Sequence, residues 1–379
     1  MRNDYLARER QLRGWSQKHV AALLDTVEKR VSAWERGESV PSPHFQEKLC
    51  ALFGKNAEDL GFLRATGSAP LFIVSQDGSM SERLDQAESI VNLAWEAWFA
   101  SRPERAAQET RKLLPRLDRV RLSNGPAIHV LRAQNLAIRC HGLLGGVYLD
   151  AMQNDLALYH YTQAQSLAEE IHDLDQSTTY LALIGDVLRR KDDKIAAISH
   201  MELARNQAST AERATRGHIL QLLAYTYADT GHANEFESTI AEATDLLSHT
   251  GEGLDAAQHE FIPFEVYEIR GKANRDLRKP LAAIPYLELA EKSLVGEIVT
   301  PRWHALLEIS RSQAFCDAGD LDVGITLATR GFQMAHQCQS PRQMNRVRKL
   351  LRKLEAGEHK TDRRVGDLKE LLYEHYLRG

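Results

Sequence analysis

Cysteine is scarce in this chain and follows no pattern. Four residues (Cys50, Cys140, Cys316 and Cys338) are scattered through 379 with no C-x-x-C spacing, which excludes a disulfide framework and the usual structural zinc sites. Cys50 and Cys316 fall on apolar helical stripes, where a buried thiol behaves as a small hydrophobe. Long apolar runs are also missing. None approaches 18 residues, and no charged n-region followed by an apolar stretch opens the sequence. A secreted or membrane-spanning protein is therefore not expected, and the reading is cytoplasmic. Charge of one sign is lacking too, with a net −4.

Catalytic signatures are absent in the same way. Fifteen histidines form no H-E-x-x-H and no Cys/His cluster, and His336 with Cys338 is an isolated pair. The glycines of Gly142-Leu143-Leu144-Gly145-Gly146 lie mid-helix and lack the G-K-[ST] ending of a phosphate loop. There is no G-x-S-x-G and no carboxylate pair placed for acid/base work. No enzyme, catalytic residue, metal site or cofactor is expected.

An apolar content of 43% is ample for packed cores, and the length suggests about two or three domains. The charge is uneven. Residues 1–64 hold 11 Lys and Arg against 9 Asp and Glu, and the remainder 37 against 43. A weakly positive head on an acidic body is compatible with a head that meets DNA.

The head carries the most informative run, Trp15 to Pro41. Ser16 stands at an N-cap position, and Val20, Leu23 and Leu24 supply an i, i+3, i+4 stripe. Asp25 or Thr26 can cap a second helix, Asp25 forming a capping-box spacing with Glu28. Val31 and Trp34 bury that helix, Glu28, Lys29, Arg30 and Ala33 face outward, and Gly37 ends it. The run resembles the lambda-repressor-like helix-turn-helix family in Leu12, Gly14, Ser16-Gln17, Val20-Ala21, Leu24, Val31-Ser32, Trp34-Glu35-Arg36-Gly37 and Pro41-Ser42. Two further helices, over 43–53 and over 57–63 with Asn56 as cap, complete a five-helix head. It departs from the family at Asp25, where the turn glycine stands, and at Val27, where a Ser or Thr opens the recognition helix. The resemblance implies a DNA operator as partner. Gln17, Lys18, Arg10 and Arg36 would meet phosphates, Lys29 a guanine edge, Glu28 a cytosine amine and Ala33 a thymine methyl, with Arg30 serving a base or the backbone.

Residues 65–81 read as a linker, although the central Leu71-Phe72-Ile73-Val74 is apolar enough to pack on a helix. Beyond it no convincing strand pattern appears and a two-helix unit recurs. Gly145, Tyr148, Ala157, Tyr161 and Ala164 are followed in register by Gly185, Leu188, Ala197, Met201 and Ala204. Sets beginning at Ala224, Gly271 and Ser312 come next. The spacing between copies runs from 39 to 47 residues, while the offsets within a copy hold. One pair cannot bury its apolar face alone, so the pairs must stack. The offsets resemble the tetratricopeptide repeat over 82–379, with 343–354 and 365–377 as a capping pair. An irregular all-α bundle is the alternative. The fold expected is thus all-α, a five-helix head (1–64) followed by a right-handed tetratricopeptide-like solenoid.

In such arrays the first helix of each pair lines a concave groove. The register places Arg139, Asp186, Arg189, Gln221, Tyr225, Glu268, Lys272 and Gln313 there, a ring of donors and acceptors suited to an extended peptide. The combination resembles transcription regulators that bind short signalling peptides. By that resemblance the chain is a DNA-binding regulator whose repeats dimerise and sense a ligand, a peptide or protein. A protein-interaction adaptor with a vestigial or docking head remains the alternative.

Overall fold

The computed structural model describes residues 4–13, 15–24, 26–36, 41, 45, 48, 49, 52, 53, 55, 60, 79–250, 253, 254, 260–294 and 301–377. Two units separate by their internal contacts, Met1–Ile73 and Val74–Gly379.

In the first unit, helices α1 (Asp4–Leu12), α2 (Gln17–Leu23) and α3 (Glu28–Arg36) are described. Ser16 holds extended backbone and its hydroxyl accepts from the His19 N–H at 3.0 Å, capping α2 as its position predicts. The apolar stripe then does its work. Val20, Ala21, Leu24, Val31 and Trp34 bury against Leu6, Leu49, Phe53 and Leu60. Trp34 lies 5.2 Å from Phe45 and Trp15 5.7 Å from Phe53, so both tryptophans pack inward. Leu23, the middle residue of the predicted stripe, is half exposed instead. Of the segment 43–53, Phe45, Lys48, Leu49, Leu52 and Phe53 are described, all helical. The expected caps Asp25, Gly37 and Asn56, the thiol of Cys50, most of 57–63 and the linker over 65–78 lie outside the described residues.

The second unit holds fourteen helices among the described residues. They are α4 (Met80–Phe99), α5 (Pro103–Arg121), α6 (Ala127–Asp150), α7 (Asn154–Glu170), α8 (Leu174–Arg190), α9 (Lys194–Gln207), α10 (Arg213–Asp229), α11 (Ala233–Thr250), α12 (Pro263–Asp276), α13 (Pro280–Ser293), α14 (Pro301–Asp317), α15 (Leu321–Gln337), α16 (Pro341–Ala356) and α17 (Arg363–Leu377). They form an all-α, tetratricopeptide-like solenoid of stacked hairpins. The repeated offset has a direct steric cause. A methyl placed on Gly145 would lie 2.3 Å from Tyr161, on Gly185 2.7 Å from Met201, and on Gly271 2.6 Å from Leu287. The large residue sixteen positions on fills the space its small partner leaves.

The turn within each of the five repeated copies passes through one residue in the left-handed region: Met152, Asp192, Gly231, Arg278 and Gly319. That is the αL cap by which helices end. The longest spacing between copies is the connection from α11 to α12, where Gly253–Leu254 pairs antiparallel with Glu260–Phe261. Phe261 is buried and rests on Gly217 of α10. This two-residue ladder is the only strand pairing among the described residues.

Candidate functional site

The head's outward surface follows from the burial of Val31 and Trp34, which turns the opposite side of α3 to solvent. Glu28, Lys29 and Arg30 are exposed and Ala33 is half buried. Arg30 lies 5.4 Å over the Phe45 ring and donates to Thr26 Oγ1 at 3.3 Å, which steadies its guanidinium beside the helix. Arg36 donates to Ser32 Oγ one turn back, and Lys18 is exposed on α2.

Two residues assigned to phosphate contact have other work. Glu35 is buried at 4% exposure. Its carboxylate accepts from Arg10 Nε at 2.6 Å, Arg10 Nη2 at 2.9 Å and Gln17 Nε2 at 2.7 Å. Arg10 also donates to the Trp15 carbonyl at 2.8 Å. Its fork is committed to holding α1, α2 and α3 together, and Glu35 raises its pKa. Arg10 is therefore a structural clamp, and the Gln17 amide N–H points at Glu35. Bidentate geometry of this kind is the strong form of an ion pair.

In the array, seven of the eight groove residues line one cavity of about 520 Å³: Asp186, Arg189, Gln221, Tyr225, Glu268, Lys272 and Gln313. The eighth does not join them. Arg139 lies outside that lining and donates to Asn92 Oδ1 of α4 at 2.7 Å. The predicted groove positions thus line this cavity on α8, α10, α12 and α14, while the one on α6 does not.

The cavity wall holds seven cationic side chains against three carboxylates. Arg342, Arg346 and Lys349 come from α16 and were not foreseen as site residues. Their i, i+4, i+7 spacing puts them on one face of α16, opposite Val347, Leu350, Leu351 and Leu354, which are buried. That amphipathic split is visible in the sequence, where α16 reads as no more than a cap.

Several of these charges are fixed by neighbours. Asp186 accepts from Arg189 at 2.7 Å and Arg190 at 2.8 Å. Burial alone would push its carboxyl up, but Arg190 and Arg189 hold it well below the usual carboxylate range. Arg346 donates to Ser310 Oγ and Gln313 Oε1, both at 2.8 Å, and Ser310 donates to the buried Glu268. Burial brings Arg346 down to about 10, which leaves it charged at neutral pH. Gln313 is therefore a positioning acceptor rather than an open one.

Two groups are poised differently. Tyr225 has Lys272 Nζ 3.8 Å and Arg189 Cζ 4.5 Å from its ring centroid, and its hydroxyl donates to Asp276 at 3.1 Å. Burial drives Lys272 down to about 7, against the pull of Glu268. Gln221 is fully buried, and neither its amide N–H nor its carbonyl meets a partner. An unmet buried amide costs about 1–3 kcal/mol.

Among the described residues no group of three or more His, Cys, Asp or Glu is placed to hold a metal ion, and no helix is long and apolar enough to cross a membrane.

Comparison with known proteins assigns the first unit. Residues 4–60 match the family model described as a helix-turn-helix domain, and this part of the chain is a helix-turn-helix domain. No curated protein matches the sequence. Among solved structures, aspartyl phosphate phosphatase F from Bacillus subtilis is similar at 14% identity and a TM-score of 0.50, over 67% of this chain and 62% of that one. That likeness is one of fold. A Rap protein complexed with competence and sporulation factor aligns at 13% identity and a TM-score of 0.47, covering 78% and 96% of the two chains. PlcR from Bacillus thuringiensis, in complex with the peptide PapR7 and DNA, aligns at 12% identity and 0.41, covering 77% and 93%.

Proposed function

We propose that this chain is a sequence-specific DNA-binding transcriptional regulator whose repeat domain dimerises and senses a short peptide carrying a carboxylate. The helix-turn-helix match and the exposed Glu28, Lys29 and Arg30 support the first half of the reading. The second half rests on one observation: a cavity with a surplus of cations encloses a buried amide, Gln221, whose donor and acceptor are both unmet. A peptide satisfies the two together, its amide against Gln221 and its carboxylate against Lys272. Response to the peptide is a population shift, in which the peptide favours one spacing of the two heads and that spacing matches the operator half-sites.

Selection of duplexes from a random pool by the full-length chain, at near-physiological salt, tests the DNA half. The expected result is a recurring motif. Lys29→Ala and Glu28→Ala should each change the preferred bases and weaken the best site by about 1–3 kcal/mol. Uniform retention of all sequences, erased on raising salt, would contradict the reading and favour an adaptor.

A further inference from the structure

A second cavity of about 280 Å³ adjoins the cationic one, and Asp186, Arg190, Leu222, Leu306 and Arg342 face both. The far wall of this inner chamber has another chemistry. Trp95, Trp98, Phe99, Tyr161 and Trp303 line it. Arg302, on the same side, is already engaged: it lies 4.0 Å over the Trp98 ring and pairs with Asp150 at 3.1 Å. The chamber thus presents aromatic surface continuous with a field of positive charge.

Two features mark it as built for an occupant. Trp95 is 7% exposed, yet its indole N–H meets no acceptor, and a buried tryptophan ordinarily finds one. Gly146, on the wall, is not required by packing. A methyl there would come no closer than 3.8 Å to Tyr161 and 3.9 Å to Trp98, whereas on Gly142 and Gly145 it would lie 2.2 and 2.3 Å from tyrosine atoms. At those two glycines a side chain is excluded by the neighbouring helix. At Gly146 its absence leaves the chamber open.

We propose that the inner chamber is a specificity subsite for an aromatic side chain of the bound peptide, close along the peptide to the carboxylate held in the outer cavity. The Trp95 N–H then donates to a carbonyl of the peptide. This deepens the peptide reading above and rests on it. The ligand class is a short peptide bearing an acidic group and, within a residue or two, a large aromatic one.

Random pentapeptides displayed and selected on the full-length chain, and on its Gly146→Leu and Gly146→Ala variants, test the proposal. The wild type is expected to enrich an acidic residue with an aromatic one nearby. Gly146→Leu, whose side chain occupies the chamber, should lose the aromatic preference and bind the enriched aromatic peptides at least about tenfold more weakly. Its affinity for the same peptides with alanine in place of the aromatic should be unchanged. Gly146→Ala leaves most of the space and should keep the preference. Acidic peptides enriched by the wild type with no aromatic preference, or the same preference in Gly146→Leu, would overturn the subsite and leave the peptide reading intact. No enriched peptide from the wild type would overturn both.

Discussion

Lys272 is the residue whose charge state would bear most directly on the proposed peptide carboxylate. Burial brings its ammonium from 10.5 down to about 7, Glu268 and Asp276 opposing, Arg346 and Arg189 reinforcing. The unfolded chain therefore holds the extra proton between about 7 and 10.5, so the contribution of Lys272 to stability improves as pH rises through that window and is least favourable below it. Binding runs the other way. A carboxylate favours the ammonium form, so affinity for an acidic peptide taken from a random pool should fall above pH 7, by up to about tenfold per unit. Lys272→Arg stays charged and should flatten that profile; an unchanged slope would assign the titration to another group. Gln221 carries a second expectation, because its unmet amide weighs against the ligand-free fold. Gln221→Leu should stabilise the chain by about 1–2 kcal/mol in denaturant titration while abolishing peptide binding. A destabilised variant would mean that the amide is satisfied in solution. Gln221, Tyr225 and Lys272 were legible in the sequence because each sits at a repeated position of a first helix. Arg139 sits at such a position too, but its guanidinium reaches Asn92 rather than the cavity. The roles of Arg10 and Gln17 were hidden because they depend on a buried carboxylate, Glu35, supplied by another helix.

At the scale of elements, the hairpins were readable because their determinants are local. Small and large residues sixteen apart meet across one turn, as Gly185 and Met201 do, and no distant contact is needed to set that register. The turns carry a cost the sequence does not announce. Gly231 and Gly319 suit their left-handed positions, but Met152, Asp192 and Arg278 occupy the same point with φ of 62°, 67° and 64°. A side chain there is strained by about 1–2 kcal/mol, partly offset by the lower unfolded-state entropy it brings. Arg278 is exposed, so Arg278→Gly should raise stability by up to about 1 kcal/mol, read as a higher denaturant midpoint at unchanged slope. A lower midpoint would show that Arg278 makes a contact outweighing its backbone strain. The inward charge of α16 was less legible. Its apolar face predicts packing against α15, but nothing local tells which residues the Arg342, Arg346 and Lys349 face will meet.

At the scale of the repeat unit, residues far apart in sequence are brought together by polar contacts. Asp150, at the end of α6, is buried and accepts from Ser340 Oγ at 2.8 Å, with Arg302 at 3.1 Å and Arg342 at 3.6 Å. The buried apolar clusters of α4–α8 and of α14–α17 are distinct, and these ion pairs and hydrogen bonds join the two ends of the array beside the inner chamber. No periodicity encodes a contact across 190 positions, which is why the cavity's cations from α16 escape a repeat-by-repeat reading. If, as proposed, a peptide in this cavity controls operator binding by the helix-turn-helix domain, one titration shows it. The duplex recovered by selection is bound to the full-length chain with and without a saturating acidic peptide from the random pool, and the pair is repeated with Lys272→Glu. The expected result is a peptide-dependent change of about 5- to 150-fold in operator affinity. It should be lost in Lys272→Glu, whose ligand-free affinity stays within about threefold of the wild type (under 0.7 kcal/mol). An operator affinity unmoved by bound peptide in the wild-type chain would contradict the account.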